Sequence, residues 1–207
     1  MLSKSRLNRR LHALPEGLWL GLFALLAESA KRLNPDQEYI VDSLPVPVCD
    51  NIRISRCHLY QDEAYRGYIA SKRRYFYGLR VHVLITAQGV PVEFTLAPGA
   101  VSDLSAFKTL PLDLPDQSTI YADRAYNDYQ FEDVVGEAGH QLVAHRRHNS
   151  QRPHPPWLTY LCLHIRKRVE TTFSSIAEQM PKCIRAVTPR GFELKVFLFV
   201  LAFAICG

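Results

Sequence analysis

Between Gly78 and Leu96 the chain leaves little choice of secondary structure. Leu79, Val81, Val83 and Ile85 alternate with Arg80, His82 and Leu84, the period of two that belongs to a strand buried on one face. Ala87-Gln88-Gly89 then supplies a turn, and Val90–Leu96 returns as a second strand before Pro98-Gly99 ends the hairpin. A hairpin with one apolar face needs a covering layer, so the flanking segments decide the fold.

Those segments alternate between strand and helix. Tyr39-Ile40-Val41 reads as a short strand ending at Asp42, ahead of Pro45 and Pro47. Ser102 or Asp103 caps a short helix over Leu104–Leu110. Ser118–Tyr121 is a strand with Asp123 at its end. Asp128–Ala138 is a helix closed by Gly139, and Gln141–Ala144 a further strand. After a polar, proline-rich loop from His145 to Pro156, the residues Leu158, Leu161, Ile165, Val169, Phe173, Ile176 and Met180 form one helical stripe. Thr188 and Pro189 open a last helix that is apolar nearly all round. Near the start, residues 16–33 predict a helix stopped by Asn34 and Pro35, and residues 1–15 a loose basic tail. This order predicts an α/β fold of ribonuclease H-like type, a mixed sheet flanked by helices.

A chain of 207 residues, 47% hydrophobic, has the length for one large domain with a short appendage. Five cysteines without a C-x-x-C pair argue against a disulfide framework or a zinc site and fit a reducing cytoplasm. The apolar runs Leu18–Ala27 and Val196–Cys206 are about half the ~20 residues of a membrane span. Basic residues ahead of the first imitate a secretory signal, yet the run continues as a plausible helix through Glu28, Lys31 and Arg32. No membrane partner is expected.

Two carboxylates, Asp42 and Asp123, sit at the ends of expected strands. If those strands are parallel neighbours, both side chains converge beyond the carboxyl edge of the sheet, where α/β proteins bind ligands. Aspartate also starts turns, which is the plainer account of each alone. Glu170 lies beside the apolar stripe of the long helix. Its charge there calls for a cation or hydrogen-bond donors, and Arg166, one turn earlier, offers an ordinary helix ion pair. Three hard oxygen donors without histidine or cysteine suit Mg²⁺ or Mn²⁺.

Several blocks carry a resemblance. Val41-Asp42-Ser43-Leu44-Pro45-Val46, Tyr65-Arg66-Gly67-Tyr68, Tyr75-Phe76-Tyr77-Gly78, Tyr121-Ala122-Asp123-Arg124-Ala125-Tyr126 and Arg166-Lys167-Arg168-Val169-Glu170-Thr171 keep their order along the chain. Together they resemble the signature of DDE transposases, most closely those of small bacterial insertion sequences (the insertion sequence 982-like family). The resemblance implies a retroviral-integrase-type ribonuclease H-like catalytic domain over residues 34–207, with residues 1–33 the remnant of an N-terminal helical segment. It implies Asp42, Asp123 and Glu170 as catalytic and metal-binding triad for two Mg²⁺ or Mn²⁺ ions. The implied reaction is hydrolysis of phosphodiesters at transposon ends, followed by attack of the freed 3′-hydroxyl on target DNA. Double-stranded DNA is then the partner, a homodimer the working unit, and the bacterial cytoplasm, at the nucleoid, the location.

Basic side chains fit such a substrate: Arg66, Lys72, Arg73 and Arg74; Arg124; Arg146, Arg147 and Arg152; and Arg166, Lys167 and Arg168. The net charge of +5 agrees with a polyanionic partner without requiring one. The wider signature expects a tyrosine and a lysine where this chain has Leu163 and Ala177. His145, His148, His154 and His164 around the polar loop read as solvent-exposed. Tyr75, Phe76 and Tyr77 suit either base stacking or core packing. Only 41 residues precede Asp42, against roughly a hundred in the family pattern. That leaves a second reading: a catalytically silent remnant that binds only DNA or a partner.

Overall fold

A computed structural model of the protein describes residues 3–179, 181 and 184–206, without the side chains of Lys4, residues 166–170, Ala177 and Gln179. Helices α1 (Lys4–Ala13) and α2 (Glu16–Arg32) precede strand β1 (Glu38–Asp50). They are followed by β2 (Arg66–Ile69), β3 (Arg74–Thr86), β4 (Pro91–Pro98), α3 (Asp103–Phe107), β5 (Thr119–Ala122), α4 (Tyr129–Glu137), β6 (Gln141–Ala144), α5 (Pro156–Gln179) and α6 (Pro189–Cys206). Among the described residues six strands make one mixed sheet. It runs β2-β3-β1-β5-β6, with β4 also paired to β3. The β1–β3 and β3–β4 ladders are antiparallel, and β1–β5 and β5–β6 are parallel.

The expected hairpin is present. Gly89 takes the left-handed φ of +93° that its turn requires, and Val90 O accepts from Thr86 N at 2.9 Å. Its polar face, however, is not solvated. His82 and Leu84 are as fully buried as Val81 and Val83, because helices cover the sheet on both sides. On one side Phe94, opposite Val83 in the β3–β4 register, packs edge-on against Phe23 of α2 at 5.1 Å between centroids. Phe197 of α6 joins the same cluster at 5.4 Å. On the other side Arg80 and His82 face Asp103 of α3, and Phe107 meets Tyr126 and Phe131 edge-on.

Two further expectations need correction. The N-terminal tail is helical: Ser3 Oγ accepts from Arg6 N and caps α1. And β1 does not stop at Asp42 but runs on through Pro45 and Pro47. The parallel ladder to β5 ends at Val41, so β1 beyond that point is an open edge on one side, where proline's missing N–H is tolerated. β2, which has no alternating pattern of its own, is set by its pairing with β3. A Cβ at Gly67 would stand 2.4 Å from the Phe76 ring, so only glycine lets these two strands close. No single helix among the described residues is long and apolar enough to cross a membrane.

Candidate active site

The β1–β5 ladder places the first two carboxylates. Its last pair is Val41 opposite Ala122, so Asp42 and Asp123 follow side by side where the two strands part. Both are half-buried and line one cleft of about 590 Å³. Asp42 Oδ1 accepts from Ser43 N at 2.7 Å, which turns the carboxylate against its own strand. Asp42 stands opposite Val83 in the β1–β3 register, on the sheet face away from α3. Cys162 and Ile165 of α5 wall the same cleft.

A third acid lines the cleft that the sequence did not single out. Asp103 opens α3, and its Oδ1 lies 3.5 Å from Arg80 Nη1 and 3.8 Å from His82 Nδ1. Its one visible sequence signal, a place at a helix cap, is too common to mark a site. Arg80 ties the wall together. Its guanidinium donates to the Tyr68 carbonyl at 2.8 Å, the Ser43 hydroxyl at 3.4 Å and the Gly99 carbonyl at 3.4 Å. The buried Tyr126 hydroxyl reports the field of the site. Burial raises its pKa well above the usual tyrosine range, and the charges of Asp103, Asp42 and Asp123 raise it further. The three carboxylates therefore share one electrostatic neighbourhood.

His145, at the end of β6, also lines the cleft. It is buried rather than solvent-exposed, and its Nδ1 accepts from Arg124 Nε at 2.7 Å. His154 is half-buried with Nε2 2.9 Å from the Ala144 carbonyl. Glu170 falls within α5, but its side chain lies outside the described residues, as do those of Arg166, Lys167 and Arg168. Among the described residues no three histidine, cysteine or acidic side chains form a ready metal cage. Asp42 and Asp123 nevertheless supply the hard oxygen donors that Mg²⁺ or Mn²⁺ prefers, and such ions take remaining ligands from water and phosphate. The donor set fits a divalent metal.

Residues 33–182 match the family described as "Transposase DDE domain". The chain belongs to the DDE transposase family. No curated protein matches it. Among solved structures, a piggyBac transposase synaptic complex with hairpin DNA resembles it with a TM-score of 0.51 at 9% identity. The match covers 82% of this chain and 46% of the piggyBac chain. At that identity the likeness speaks to fold: a mixed α/β sheet flanked by helices, of ribonuclease H-like type. This chain thus spans less than half of that relative.

The basic residues of this chain divide by position. Lys72, Arg73 and Arg74 are exposed around the β2–β3 turn, where Arg73 adopts a left-handed φ of +48°. Arg74 pairs with Asp50 at 3.2 Å, and Arg66 with Glu63 at 3.4 Å. Arg124 and Arg147 are exposed, Arg124 directly after Asp123. Arg146 is not at the surface. It is 8% exposed and forks onto Glu132 at 2.6 and 2.5 Å, with Asn127 as a further acceptor. That guanidinium fastens the loop after β6 to α4. Arg152 makes a similar fork onto Asp133 but remains half-exposed.

Proposed function

We propose that this cleft cuts and joins DNA strands. Asp42, Asp123 and Glu170 would hold two Mg²⁺ or Mn²⁺ ions, and the substrates are transposon ends and target DNA. The observation that carries the reading is the side-by-side placement of Asp42 and Asp123 at the end of the parallel ladder, with α5 forming the adjacent wall. Bound there, the metal pair would make water or a 3′-hydroxyl a stronger nucleophile and offset the charge of the phosphodiester. The reaction is hydrolysis at the transposon end, followed by attack of the freed 3′-hydroxyl on a target phosphodiester.

The chain's own groups have distinct work in this reading. Asp42 and Asp123 concentrate negative charge where the cations belong. Arg80 holds Asp103 and the Tyr68 strand in place, fixing the cleft wall. Arg124, Lys72, Arg73 and Arg147 offer exposed charge to the DNA backbone, and each phosphate contact would add about 0.9 to the salt slope of binding. The order of the signature blocks supports a place among transposases of small bacterial insertion sequences, acting as a pair of copies at the nucleoid.

The test is cleavage of end-containing DNA by the purified protein with Mg²⁺, with Mn²⁺ and with chelator. Asp42→Asn, Asp123→Asn and Glu170→Gln are each expected to drop strand cutting to background while DNA binding survives. Variants that cut as well as wild type would remove the triad. A wild-type protein that binds DNA but cuts with neither metal would leave only a binding function.

A further inference from the structure

We propose that Tyr68 and Tyr75 form a stacking platform for an unpaired base of the DNA strand whose phosphate enters the cleft. The proposal rests on the DNA reading above and deepens it.

Tyr68 and Tyr75 are directly opposite each other in the β2–β3 ladder, so their side chains share one face of the sheet. Their ring centroids are 4.9 Å apart with the planes at 50°. On the reverse face Phe76 is fully buried, while Tyr68 and Tyr75 are 42% and 48% exposed. A two-stranded edge ordinarily presents polar side chains outward, so a pair of exposed rings there is costly unless something covers it. Arg66 sits with its guanidinium 4.4 Å from the Tyr75 centroid and adds positive charge to the platform.

Two features select the occupant. First, the platform is continuous with the cleft. Tyr68, Ile69, Ala70 and Ser71 line the same cavity as Asp42 and Asp123, and Arg80 anchors the Tyr68 carbonyl to its wall. Second, the surroundings carry an excess of basic charge: Lys72 and Arg73 are exposed beside the rings, while Arg66 and Arg74 pair with Glu63 and Asp50. Rings with a basic rim fit a nucleotide, whose base stacks while its phosphate pairs. A base inside a duplex already has both faces covered by its neighbours; an unpaired one does not. Two rings also offer far less area than a stable protein interface needs.

The experiment compares a blunt duplex with the same duplex carrying a short 3′ single-stranded tail that contains 2-aminopurine. Wild type is expected to bind the tailed DNA more tightly and to quench its fluorescence. Tyr68→Ala with Tyr75→Ala should lose at least about fivefold in affinity for the tail, the lower end of stacking effects, together with the quench. Blunt-duplex binding should stay as it was, and the paired phenylalanine variant should keep both signals. Should the alanine pair unfold, Tyr75→Leu removes the aromatic face and serves the same comparison. Retained quench and affinity in the alanine pair overturn the platform, as does an equal loss on both DNAs. A change of oligomeric state with tail binding intact would show that a second copy covers the rings instead. If wild type binds no DNA of either kind, the DNA reading falls and the platform with it.

Discussion

His82 has an environment that strongly opposes its charge. It is fully buried on β3, and among the described residues neither ring nitrogen has a hydrogen-bond partner. Burial, chiefly, pushes its pKa down to about 4 from an ordinary 6.5. Asp103 works in the opposite direction, and Arg80 with the burial. Because the folded value is the lower one, the unfolded chain takes up the proton first as pH falls. The neutral ring therefore contributes fully above about pH 6.5, and that contribution is lost as pH drops toward 4. Between pH 7.5 and 5 the loss is about 2 kcal/mol. Denaturant unfolding at the two pH values should show it, and His82→Leu should flatten the profile. A variant with the wild-type slope would place the acid sensitivity elsewhere. The arginines teach a related lesson. Arg146 and Arg147 are neighbours in sequence, yet one is an internal fork and the other a surface charge; only the position of Glu132 on α4 separates them.

At the scale of elements, α6 shows how local chemistry starts a helix that packing then retains. Thr188 Oγ1 accepts from Gly191 N at 3.1 Å, and the Thr188 carbonyl from Phe192 N, so the cap precedes a proline whose lost N–H was never needed. Thr188→Ala should cost about 1 kcal/mol, read as a lower thermal midpoint, while Thr188→Ser should restore most of it. An unchanged midpoint in the alanine variant would mean that packing alone seats the helix. Elements with such self-contained signals were legible: the hairpin, α4 with its Asp128 cap and terminal Gly139, and the long stripe of α5. β2 and the second half of β1 were not, since β3 pairing holds both.

On one face of the sheet the whole molecule is tied together by Phe23, Phe94 and Phe197, three rings from α2, β4 and α6. Lys31 of α2 adds a buried ion pair with Glu93 of β4 at 3.8 Å and a second, at 3.5 Å, with Asp113. The segment before residue 33 lies outside the family match but inside this core. Phe23→Ala should therefore cost about 3–5 kcal/mol of global stability, measured by denaturant titration. A loss confined to α2, with the sheet melting as in wild type, would show that the N-terminal helices are an independent layer.

Local pattern determined the α/β alternation and the hairpin turn, because periodicity and turn chemistry act over a few residues. Asp42 and Asp123 were marked out by the ordered signature blocks and not by periodicity. Tertiary structure decided that Asp42 and Asp123 stand side by side. Parallel pairing joins strands some 80 residues apart, and no local rule sets that register. It also brought Asp103 and Arg80 to the same cleft, buried the polar face of β3 beneath a second layer of helices, and left Tyr68 and Tyr75 uncovered at its rim. Each depends on what lies above a residue in space, which its neighbours in sequence do not specify.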